Sequence, residues 1–551
     1  MKKKMLCLLL AALLLCAMLP QQAKAANVND LTFTLNDDGK SYMVSGCDEF
    51  AEGALRIPAT YQGKPVTGID DEAFEYCEYL TSVTIPSGVT SIGDFAFCEC
   101  FSLTSVVIPD SVTSIGEYAF ADCSSLTAVT IPASVTNIGE DAFSGCSSLT
   151  SVTIPKGVTS IGKWAFNYCS SLTGIWVDVN NPNYSNDSKG VLFNKDRTIL
   201  IQAPGALSGA YSIPSSVTNI GATAFEGCSS LTSVKIPNGV TSIGNWAFSD
   251  CSGLSSVTIP GSVTSIEWGA FSCTGLTSLT IPGSVGNIDD CLFESCSSLT
   301  SVYIPGSVTS IGECAFLDCS SLEDVYYGGS EQQWEQIDIN VQNEPLTNAT
   351  IHFNAHSVSD VELTSWQYTH VQYALERNLM AGKGTDADGR IKFDPNSSIT
   401  REEFVQVLYN AEGKPAVDLL NPFPDVAENG WYKNAVLWAK KNDIANGGAD
   451  GNFGIGARII RQDLALMLYK YARLKNCSLE AQEGITDQFG DKDSISGYAK
   501  EAMDWAVTNG ILSGKGVAGQ PLSTFRLDPT GTATRAECAA MLRNFMTAFG
   551  L

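Results

Sequence analysis

Residues 103–125 read LTSVVIPDSVTSIGEYAFADCSS, and residues 126–148 read LTAVTIPASVTNIGEDAFSGCSS. The same phrase recurs, mostly every 23 residues, with its opening leucine at Leu80, Leu103, Leu126, Leu149, Leu172, Leu231, Leu254, Leu276, Leu299 and Leu322. A fixed period of this length is typical of a solenoid, in which each repeat is one turn stacked on the next. We therefore expect a long exposed surface, suited to binding, rather than an enclosed catalytic pocket.

Each repeat predicts one short strand and one short helix. Apolar residues alternate through SVVIP, as a strand requires, and are spaced more loosely around IGEYAF. The proline that follows the strand, Pro109 in this repeat, withholds a backbone donor and ends the pairing. The predicted fold class is an α/β solenoid with a 23-residue turn, followed by an all-α region.

Ten of the eighteen cysteines are predicted to share one position of the repeat. They are Cys77, Cys100, Cys123, Cys146, Cys169, Cys228, Cys251, Cys273, Cys296 and Cys319. Disulfides or a metal site are one interpretation, and a stack of small buried side chains is the other. Equivalent residues on stacked turns point their Cβ atoms the same way, which opposes bridging. We favour a ladder of buried free thiols.

Catalysis is not expected from the repeats. Five carboxylates follow the IG dipeptide or its equivalent: Asp94, Glu117, Glu140, Asp290 and Glu313. A glycosidase needs two carboxylates in different environments, whereas these would share one, and we expect them at the N-termini of the short helices. The three histidines follow the repeats, at His352, His356 and His370. No catalytic residue, metal site or cofactor is predicted.

Two sets of residues form a possible ligand surface on the repeats. Outward strand positions are mostly Ser and Thr, interrupted by Trp176, Lys235, Tyr303 and Tyr326. A second set precedes the repeat phenylalanine by two residues and comprises Phe95, Tyr118, Trp164 and Trp246, with Trp268 beside it. Aromatic residues in register could hold sugar rings or a protein partner. The interpretation that we favour is that they cover the seam between neighbouring turns.

The length, charge and N-terminal segment of the chain limit where the protein can be located and what it can bind. A chain of 551 residues is expected to contain two or more domains. Its net charge of −26 disfavours nucleic acid and anionic lipid. Residues 1–25 have the charged start, apolar stretch and small-residue cleavage site of a signal peptide, cut after Ala25, and no later segment predicts a membrane span. We therefore expect an exported protein.

The change of pattern along the chain predicts the domain boundaries. An N-terminal cap and first repeat are expected over 26–79, the solenoid over 80–324 with a longer unit at 172–230, and a closing cap or linker over 325–358. The longer unit contains VLF and TILI, which we expect to form a hairpin. Three related copies of about 60 residues follow, and their predicted ranges are 359–415, 420–476 and 485–548.

The three copies share two predicted helices. Their first helices align as SWQYTHVQYALERNLMAG, WYKNAVLWAKKNDIANG and GYAKEAMDWAVTNGILSG. Each ends in a glycine where we expect the helix to stop, at Gly382, Gly447 and Gly514. The second helices open at TREE, IRQD and TRAE, with apolar residues at helical spacing after them.

Residues 45–353 resemble the BspA-type leucine-rich repeat family of bacterial surface antigens, through the repeated IP, SIG, AF and CSSL landmarks. That resemblance implies a surface-exposed or secreted recognition protein and supplies no catalytic residue. Residues 359–548 resemble three S-layer homology domains, through FDP at 393–395, FPDV at 423–426, FGD at 489–491 and the TRAE-type motif.

The second resemblance implies a pseudo-threefold helical unit, a pseudo-trimer, whose grooves bind anionic secondary cell-wall polysaccharide, often pyruvylated. Carried over by motif, the binding residues are Arg401, Arg461 and Arg535, Trp366, Trp431 and Tyr498, and Gly382, Gly447 and Gly514. A guanidinium suits a carboxylate because it can bind it with two parallel hydrogen bonds. The alternative is that each arginine caps or bridges its own helix pair.

Departures from the motif reduce the expected number of working grooves. The second copy has Ile460 and Asp463 where its neighbours have Thr and Glu, and it lacks the FDP proline; the first copy lacks the leading FxD. We expect one or two working grooves. The sequence thus predicts a non-catalytic, wall-anchored surface protein that presents its repeats to an unidentified host or microbial protein or glycan. A surface-coat component is the alternative, and a wall-directed enzyme a minor one.

Overall fold

The computed structural model describes residues 24–551. The predicted signal peptide, residues 1–25, lies outside this range except for Lys24 and Ala25. The described chain divides into two compact units. The solenoid unit runs to residue 300 and includes 307–323 and 336–349; the C-terminal unit comprises 301–306, 324–335 and 350–551.

The strands are short and follow one another in chain order. They are β1 (Lys24–Ala25), β2 (Leu31–Leu35), β3 (Tyr42–Cys47), β4 (Ala51–Arg56), β5 (Thr60–Tyr61), β6 (Lys64–Ile69), β7 (Leu80–Thr84), β8 (Ser91–Ile92), β9 (Ser105–Val107), β10 (Ser114–Ile115), β11 (Asn137–Ile138), β12 (Val152–Ile154), β13 (Ser160–Ile161), β14 (Ile175–Val177), β15 (Tyr184–Asn186), β16 (Leu192–Asn194), β17 (Ile199–Gln202), β18 (Gly209–Ser212), β19 (Asn219–Ile220), β20 (Leu231–Lys235), β21 (Ser242–Ile243), β22 (Ser256–Thr258), β23 (Ser265–Ile266), β24 (Ser278–Thr280), β25 (Asn287–Ile288), β26 (Ser301–Ile304), β27 (Ser310–Ile311), β28 (Asp324–Tyr327), β29 (Asp338–Ile339) and β30 (Thr350–His352).

Most repeats contribute one strand to each of two parallel ladders. The strand after the repeat leucine pairs with its counterpart in the next turn, as in β7–β9, and the SIG segment does the same in the order β6-β8-β10-β11-β13. Equivalent residues lie opposite one another; Ile92 pairs with Ile115, and Ile115 with Ile138. The array is therefore held by backbone pairing between turns.

A column of repeat phenylalanines fills the core of the solenoid unit. Phe120 is fully buried and stacks on Phe97 and Phe143, with ring centroids 5.1 and 5.3 Å apart and interplanar angles of 4°. Leu103 and Leu126, which open their repeats, are also fully buried. A single turn could not cover these side chains, so stacking buries them.

The predicted short helix in each turn is wrong, because the IGEYAF segment is a series of tight turns. Tyr118 adopts a left-handed conformation with φ 53°. Its backbone N–H donates to the carbonyl of Glu140, and the N–H of Phe120 donates to Ala142, both 2.8 Å away in the next turn. Donors that a helix would use internally are used between turns. The repeat region is a β-solenoid.

The acidic residues that recur after the IG dipeptide have a different role from the one predicted. Because no helix begins there, the carboxylates do not lie at helix N-termini. Asp94 instead accepts a hydrogen bond from the backbone N–H of Glu117 at 2.7 Å, and Asp290 accepts one from Glu313 at 2.7 Å. These side chains therefore link successive turns.

The cysteine ladder consists of buried thiols, and every cysteine in the described residues is free. The Cys123 thiol donates to the carbonyl of Phe97 at 3.1 Å, and other ladder cysteines repeat this bond one turn apart. The placement of Cys273 in the ladder is wrong. That repeat is one residue shorter, and buried Thr274 takes the position, donating to the carbonyl of Phe271 at 2.9 Å.

The longer unit interrupts the second ladder. Strands β16 and β17 pair antiparallel, where the sequence predicted a hairpin, and β17 continues in parallel to β19. Strand β13 is the last of its sheet and does not pair with β17. The interruption leaves one edge of the turn at 160–168 without the neighbour that other turns have.

The helices are concentrated at the end of the chain. They are α1 (Glu331–Trp334), α2 (Glu344–Asn348), α3 (Trp366–Glu376), α4 (Arg401–Ala411), α5 (Lys433–Lys441), α6 (Arg461–Leu474), α7 (Lys500–Thr508) and α8 (Arg535–Phe549). Each of the three predicted copies supplies two of α3–α8. Helix α4 packs on α5, α6 on α7, and α8 on α3, so the second helix of each copy contacts the first helix of another.

A closed ring of backbone hydrogen bonds joins the segments that precede α4, α6 and α8. The N–H of Ile459 donates to Ile399, that of Ile399 to Ala533, and that of Ala533 to Ile459, at 3.0, 3.1 and 2.9 Å. Each of these residues lies two positions before a motif arginine. The ring brings the three motif segments together in the C-terminal unit.

Candidate functional site

The motif arginines occupy the first position of helices α4, α6 and α8. Thr400 and Thr534 cap two of these helices, each accepting from the backbone N–H of the glutamate three residues on, which bonds back to the cap. Ile460 offers no such side-chain bond at the start of α6. The start of α6 is therefore the least well fixed of the three.

Arg535 reaches from the third copy into a loop of the first. Its Nε donates to the carbonyl of Phe393 at 2.8 Å and its Nη2 to the carbonyl of Ala381 at 2.5 Å. The guanidinium carbon lies 4.7 Å from the centroid of the Phe393 ring. Arg535 forms no ion pair within 4 Å among the residues that the structure describes, so its charge remains available to an anion.

The other two arginines also donate to backbone carbonyls of a different copy. Arg461, in the second copy, donates to the carbonyls of Leu527 and Ser513 in the third and pairs with Glu537 at 3.0 Å. Arg401, in the first copy, donates to carbonyls of the second, at Phe453 and Asn446. Each arginine thus holds a loop of another copy, and the alternative that it only caps or bridges its own helix pair is wrong.

Three aspartates that sequence analysis did not select hold the same loops from the other side. Asp425 accepts from the backbone N–H of Phe453, Gly454 and Ile455 at 2.7 to 3.0 Å. Asp491 and Asp360 each accept from two loop N–H groups in their own copies. Asp425 is the aspartate of the FPDV landmark and Asp491 that of FGD, so the sequence motifs already included two of the three. The corresponding residues of the first copy, 358–360, read VSD. The first copy therefore does not lack the motif: Val358 replaces the phenylalanine and the aspartate is kept.

The prediction that the first helices stop at the motif glycines is wrong. Helices α3, α5 and α7 end six residues earlier, at Glu376, Lys441 and Thr508. A Cβ at the three glycines would approach Ile391, Phe423 or Phe489 to between 2.5 and 2.7 Å. These positions exclude a side chain because the loop packs directly on an apolar neighbour.

One groove collects predicted residues from all three copies. A cavity of about 440 Å³ is lined by Gly382 of the first copy, Trp431 of the second and Arg535 of the third. Lys383 and Glu403 also line it and form an ion pair at 2.5 Å. The members of one binding set therefore lie about 50 to 150 residues apart in sequence.

The predicted aromatic residues are exposed near the starts of the first helices. Trp366, Trp431 and Tyr498 are 58%, 63% and 60% exposed. The Tyr498 hydroxyl donates to Asp463 at 2.7 Å, and Asp463 lies 3.9 Å from Arg401. Tyr498 and Arg401 thus share one carboxylate, which places these two predicted residues in a second common region.

The three arginine sites differ in charge. Lys383 follows Gly382 and Lys515 follows Gly514, and these lysines pair with Glu403 and Glu537. The second copy has Gly448 at this position. Burial opposes ionisation of the Glu403 carboxyl, but the Lys383 ammonium and the Thr400 N–H outweigh it and lower its pKa. The site of Arg535 and Lys383 against Glu403 carries a net positive charge.

The predicted ligand surface on the repeats is corrected at two residues. Tyr303 and Tyr326 both belong to the C-terminal unit and are buried within it, where Tyr326 packs on Tyr368 and His352 with ring centroids 4.6 and 4.7 Å away. Trp176, by contrast, is 39% exposed. The outward strand face is therefore less aromatic than its sequence predicted.

The second predicted aromatic set lies at the surface in pairs. Phe95 and Tyr118 stack at 4.7 Å with an interplanar angle of 5°. Trp246 lies 4.5 Å from exposed Trp268, over Gly269, where a Cβ would come within 2.4 Å of the indole. These contacts show seam covering between turns, and they leave the outer face of Trp268 open.

Residues 24–551 contain neither a candidate metal centre nor a candidate membrane-spanning helix. No group of three or more His, Cys, Asp or Glu side chains there is arranged to hold a metal ion. No helix in the same range is long and apolar enough to cross a membrane.

Comparison with known families assigns both parts of the chain. The description "BspA type Leucine rich repeat region", in six copies, matches residues 60–186 and 209–323. The description "S-layer homology domain" matches residues 359–405, 422–465 and 488–539. This combination defines a repeat protein with a cell-surface anchoring module. The chain is a BspA-type leucine-rich repeat protein with three C-terminal S-layer homology domains.

Individual relatives match parts of the chain. An amylopullulanase from Thermoanaerobacterium thermosulfurigenes is 26% identical over 227 residues, 40% of this chain and 11% of that protein. A surface-layer 125 kDa protein from Lysinibacillus sphaericus is 27% identical over 171 residues, 31% of this chain and 13% of that protein. A leucine-rich cell surface protein from Faecalibacterium prausnitzii, of known structure, is 32% identical, covering 58% of this chain and 99% of that one, with a TM-score of 0.42. The chain spans about a tenth of the length of the two curated relatives.

Proposed function

We propose that this is a non-catalytic protein of the bacterial cell surface, attached to an anionic secondary cell-wall polysaccharide by its C-terminal unit. The observation that carries the proposal is the groove in which Gly382, Trp431 and Arg535 meet, because it combines a net positive charge with an exposed aromatic ring. A pyruvylated sugar offers a carboxylate to the guanidinium and a ring face to the indole. The matched S-layer homology domains support this choice of ligand.

We further propose that the three copies form a pseudo-threefold unit with unequal grooves. The backbone ring at Ile399, Ile459 and Ala533 and the cyclic contacts of the three arginines support this symmetry. The groove at Arg535 is the principal polymer site, since its arginine lacks a close carboxylate partner. The site at Arg401 is the weakest because the second copy has neither the lysine nor the capping threonine.

Co-sedimentation of the intact chain with purified cell walls tests the anchoring proposal. Binding is expected with untreated walls and should be lost after chemical removal of the secondary polymer. Trp431→Ala, which removes an exposed ring, should weaken binding by about tenfold. Trp176→Ala is the matched control in the repeats. Equal pelleting with stripped walls, or an unchanged affinity of the Trp431 variant, would contradict the proposed site.

For the repeats we propose presentation to a host or microbial protein or glycan, with the Trp246–Trp268 pair as the contact. Exposed indole area of this kind is typical of recognition surfaces. Ala at Trp164 and Trp246 should weaken partner binding and leave the fold intact. A surface-coat role remains the second candidate, and concentration-dependent sheets or fibres of the pure protein would favour it. No catalytic domain is among the matched families.

A further inference from the structure

The solenoid unit contains a cavity where the longer unit interrupts the second ladder. Its volume is about 210 Å³. One side is the turn that carries Lys163, Trp164 and Phe166, and the other is the β16–β17 hairpin, with Leu192 and Gln202. The cavity exists because β13 ends its sheet and the hairpin does not pair with it.

The turn bordering the cavity has unpaired backbone donors. In an earlier turn the N–H groups of Tyr118 and Phe120 donate to the following turn at 2.8 Å. The equivalent N–H groups of Trp164 and Phe166 have no acceptor in the part of the chain that the structure describes. Trp164 is left-handed, with φ 59°. Alternation of left- and right-handed residues directs such N–H groups to one side, an arrangement that binds anions.

Gln202 supplies a polar side chain without a partner. The residue is only 6% exposed and lines the cavity. Its carboxamide forms no hydrogen bond with residues 24–551. The amide therefore remains free to bond to a ligand held in the cavity.

The charge pattern of the repeat reverses at the same turn. The residue that follows the IG glycine is Asp94, Glu117 and Glu140 in three consecutive turns, and then Lys163 in the turn that borders the cavity. Lys163 is exposed and forms no ion pair within 4 Å among the described residues. A single cation thus stands beside the free N–H groups, after three turns that carry acidic residues.

One carboxylate of the protein already lies against the neighbouring part of this edge. Glu226 accepts from the Nδ2 of Asn167 at 2.6 Å and from the hydroxyl of Tyr168 at 2.7 Å. These two residues directly follow Phe166. The edge therefore accommodates a carboxylate, while the segment at Trp164 and Phe166 faces the cavity.

We propose that this cavity binds a small organic acid, with its carboxylate on Lys163 and the N–H groups of Trp164 and Phe166. The Gln202 amide bonds the same carboxylate, and a compact apolar body packs on Leu192 and the Trp164 indole. Both aromatic and short aliphatic acids meet these requirements. The site is separate from the polymer groove, which lies in the C-terminal unit.

Titration of the intact chain with benzoate, followed by calorimetry and by Trp fluorescence, tests the proposal. We expect saturable binding with Kd at or below about 1 mM, and binding of neutral benzamide at least about tenfold weaker. Lys163→Gln should weaken benzoate about tenfold. Lys156→Gln, an exposed lysine before the cavity, is the matched control and should bind as the parent does.

A blocking variant separates this cavity from any other site. Ala222 lines the cavity, and the same repeat position holds Trp268 in a later turn, so the fold accepts tryptophan there. Ala222→Trp should abolish benzoate binding, whereas Asn245→Trp, the same change one turn further on, should preserve it. Undiminished binding by Ala222→Trp, equal affinity for benzamide, or no binding of benzoate or hexanoate up to about 20 mM would each overturn the proposal.

Discussion

The Arg535 Nε donates to the carbonyl oxygen of Phe393, 2.8 Å away and 142 residues earlier in the chain. The last helix thereby fixes a loop of the first S-layer homology copy. Because Arg461 and Arg401 make equivalent bonds to the third and second copies, no copy has a complete arginine site by itself. The groove is a product of all three copies folding together.

Arg535→Met is expected to destabilise the C-terminal unit. The side chain is 5% exposed, and its loss leaves the carbonyls of Phe393 and Ala381 without their donors. We expect the free energy of unfolding to fall by about 2–5 kcal/mol. Urea denaturation of the intact chain, followed at the tryptophans, measures it. Arg526→Met, at an exposed arginine, should change the value by less than about 0.5 kcal/mol.

Asp425→Asn should lower the stability of the same unit and flatten its dependence on acid. Burial opposes ionisation of this carboxyl, but N–H groups of Ile455, Phe453 and Gly454 outweigh it and lower its pKa. A lowered pKa stabilises the fold above the unfolded value of about 3.9, and the stabilisation is lost as pH falls through the folded value.

Thermal unfolding between pH 7 and pH 3 checks the Asp425 prediction. The parent should lose stability below about pH 4. The variant should start lower at pH 7 and lose less on acidification. Asp418→Asn, at an exposed carboxyl without a hydrogen bond in the described structure, is the control and should follow the parent curve. A variant curve parallel to that of the parent would contradict the role of Asp425.

Thiol labelling should separate the ladder from the other cysteines. Burial raises the pKa of the Cys146 and Cys251 thiols well above the usual value, so little thiolate forms at pH 8. Burial also raises the pKa of Cys291, to about 11, and that of Cys314, but both thiols are only partly buried and a reagent can reach them. We expect these two to react at least about tenfold faster in the native protein, as mapped by mass spectrometry. Rapid native labelling of Cys146 would show that the ladder opens.

Much of the repeat architecture could be predicted because the same sequence pattern recurs in each turn. The buried leucines, phenylalanines and thiols follow from their fixed spacing. The helix in each turn was mistaken because the spacing of Ala119 and Phe120 is compatible with a helix or with a tight turn. Only the acceptors of the Tyr118 and Phe120 N–H groups, which lie in the next turn, distinguish these two structures.

The candidate groove could be predicted only as a set of residue types. The motifs identified Gly382, Trp431 and Arg535, but sequence order assigns them to three separate copies. Which residues meet depends on the packing of α4 on α5 and of α8 on α3. The supporting Asp360 was missed because valine replaces the phenylalanine of its motif. The cavity at Gln202 could not be predicted from any sequence motif, since it arises where two strands, β13 and β17, do not pair.

Ile460→Thr should stabilise the second copy by restoring a helix cap. Thr400 and Thr534 accept from the N–H of the third helical residue, Glu403 or Glu537, whereas Ile460 leaves the N–H of Asp463 without this side-chain acceptor. A cap of this kind contributes about 0.5–2 kcal/mol. Urea denaturation should show a higher midpoint for this variant and a lower one for the reverse change, Thr534→Ile. If the two changes shifted the midpoint in the same direction, packing of the substituted side chain, and not capping, would control the stability of this helix start.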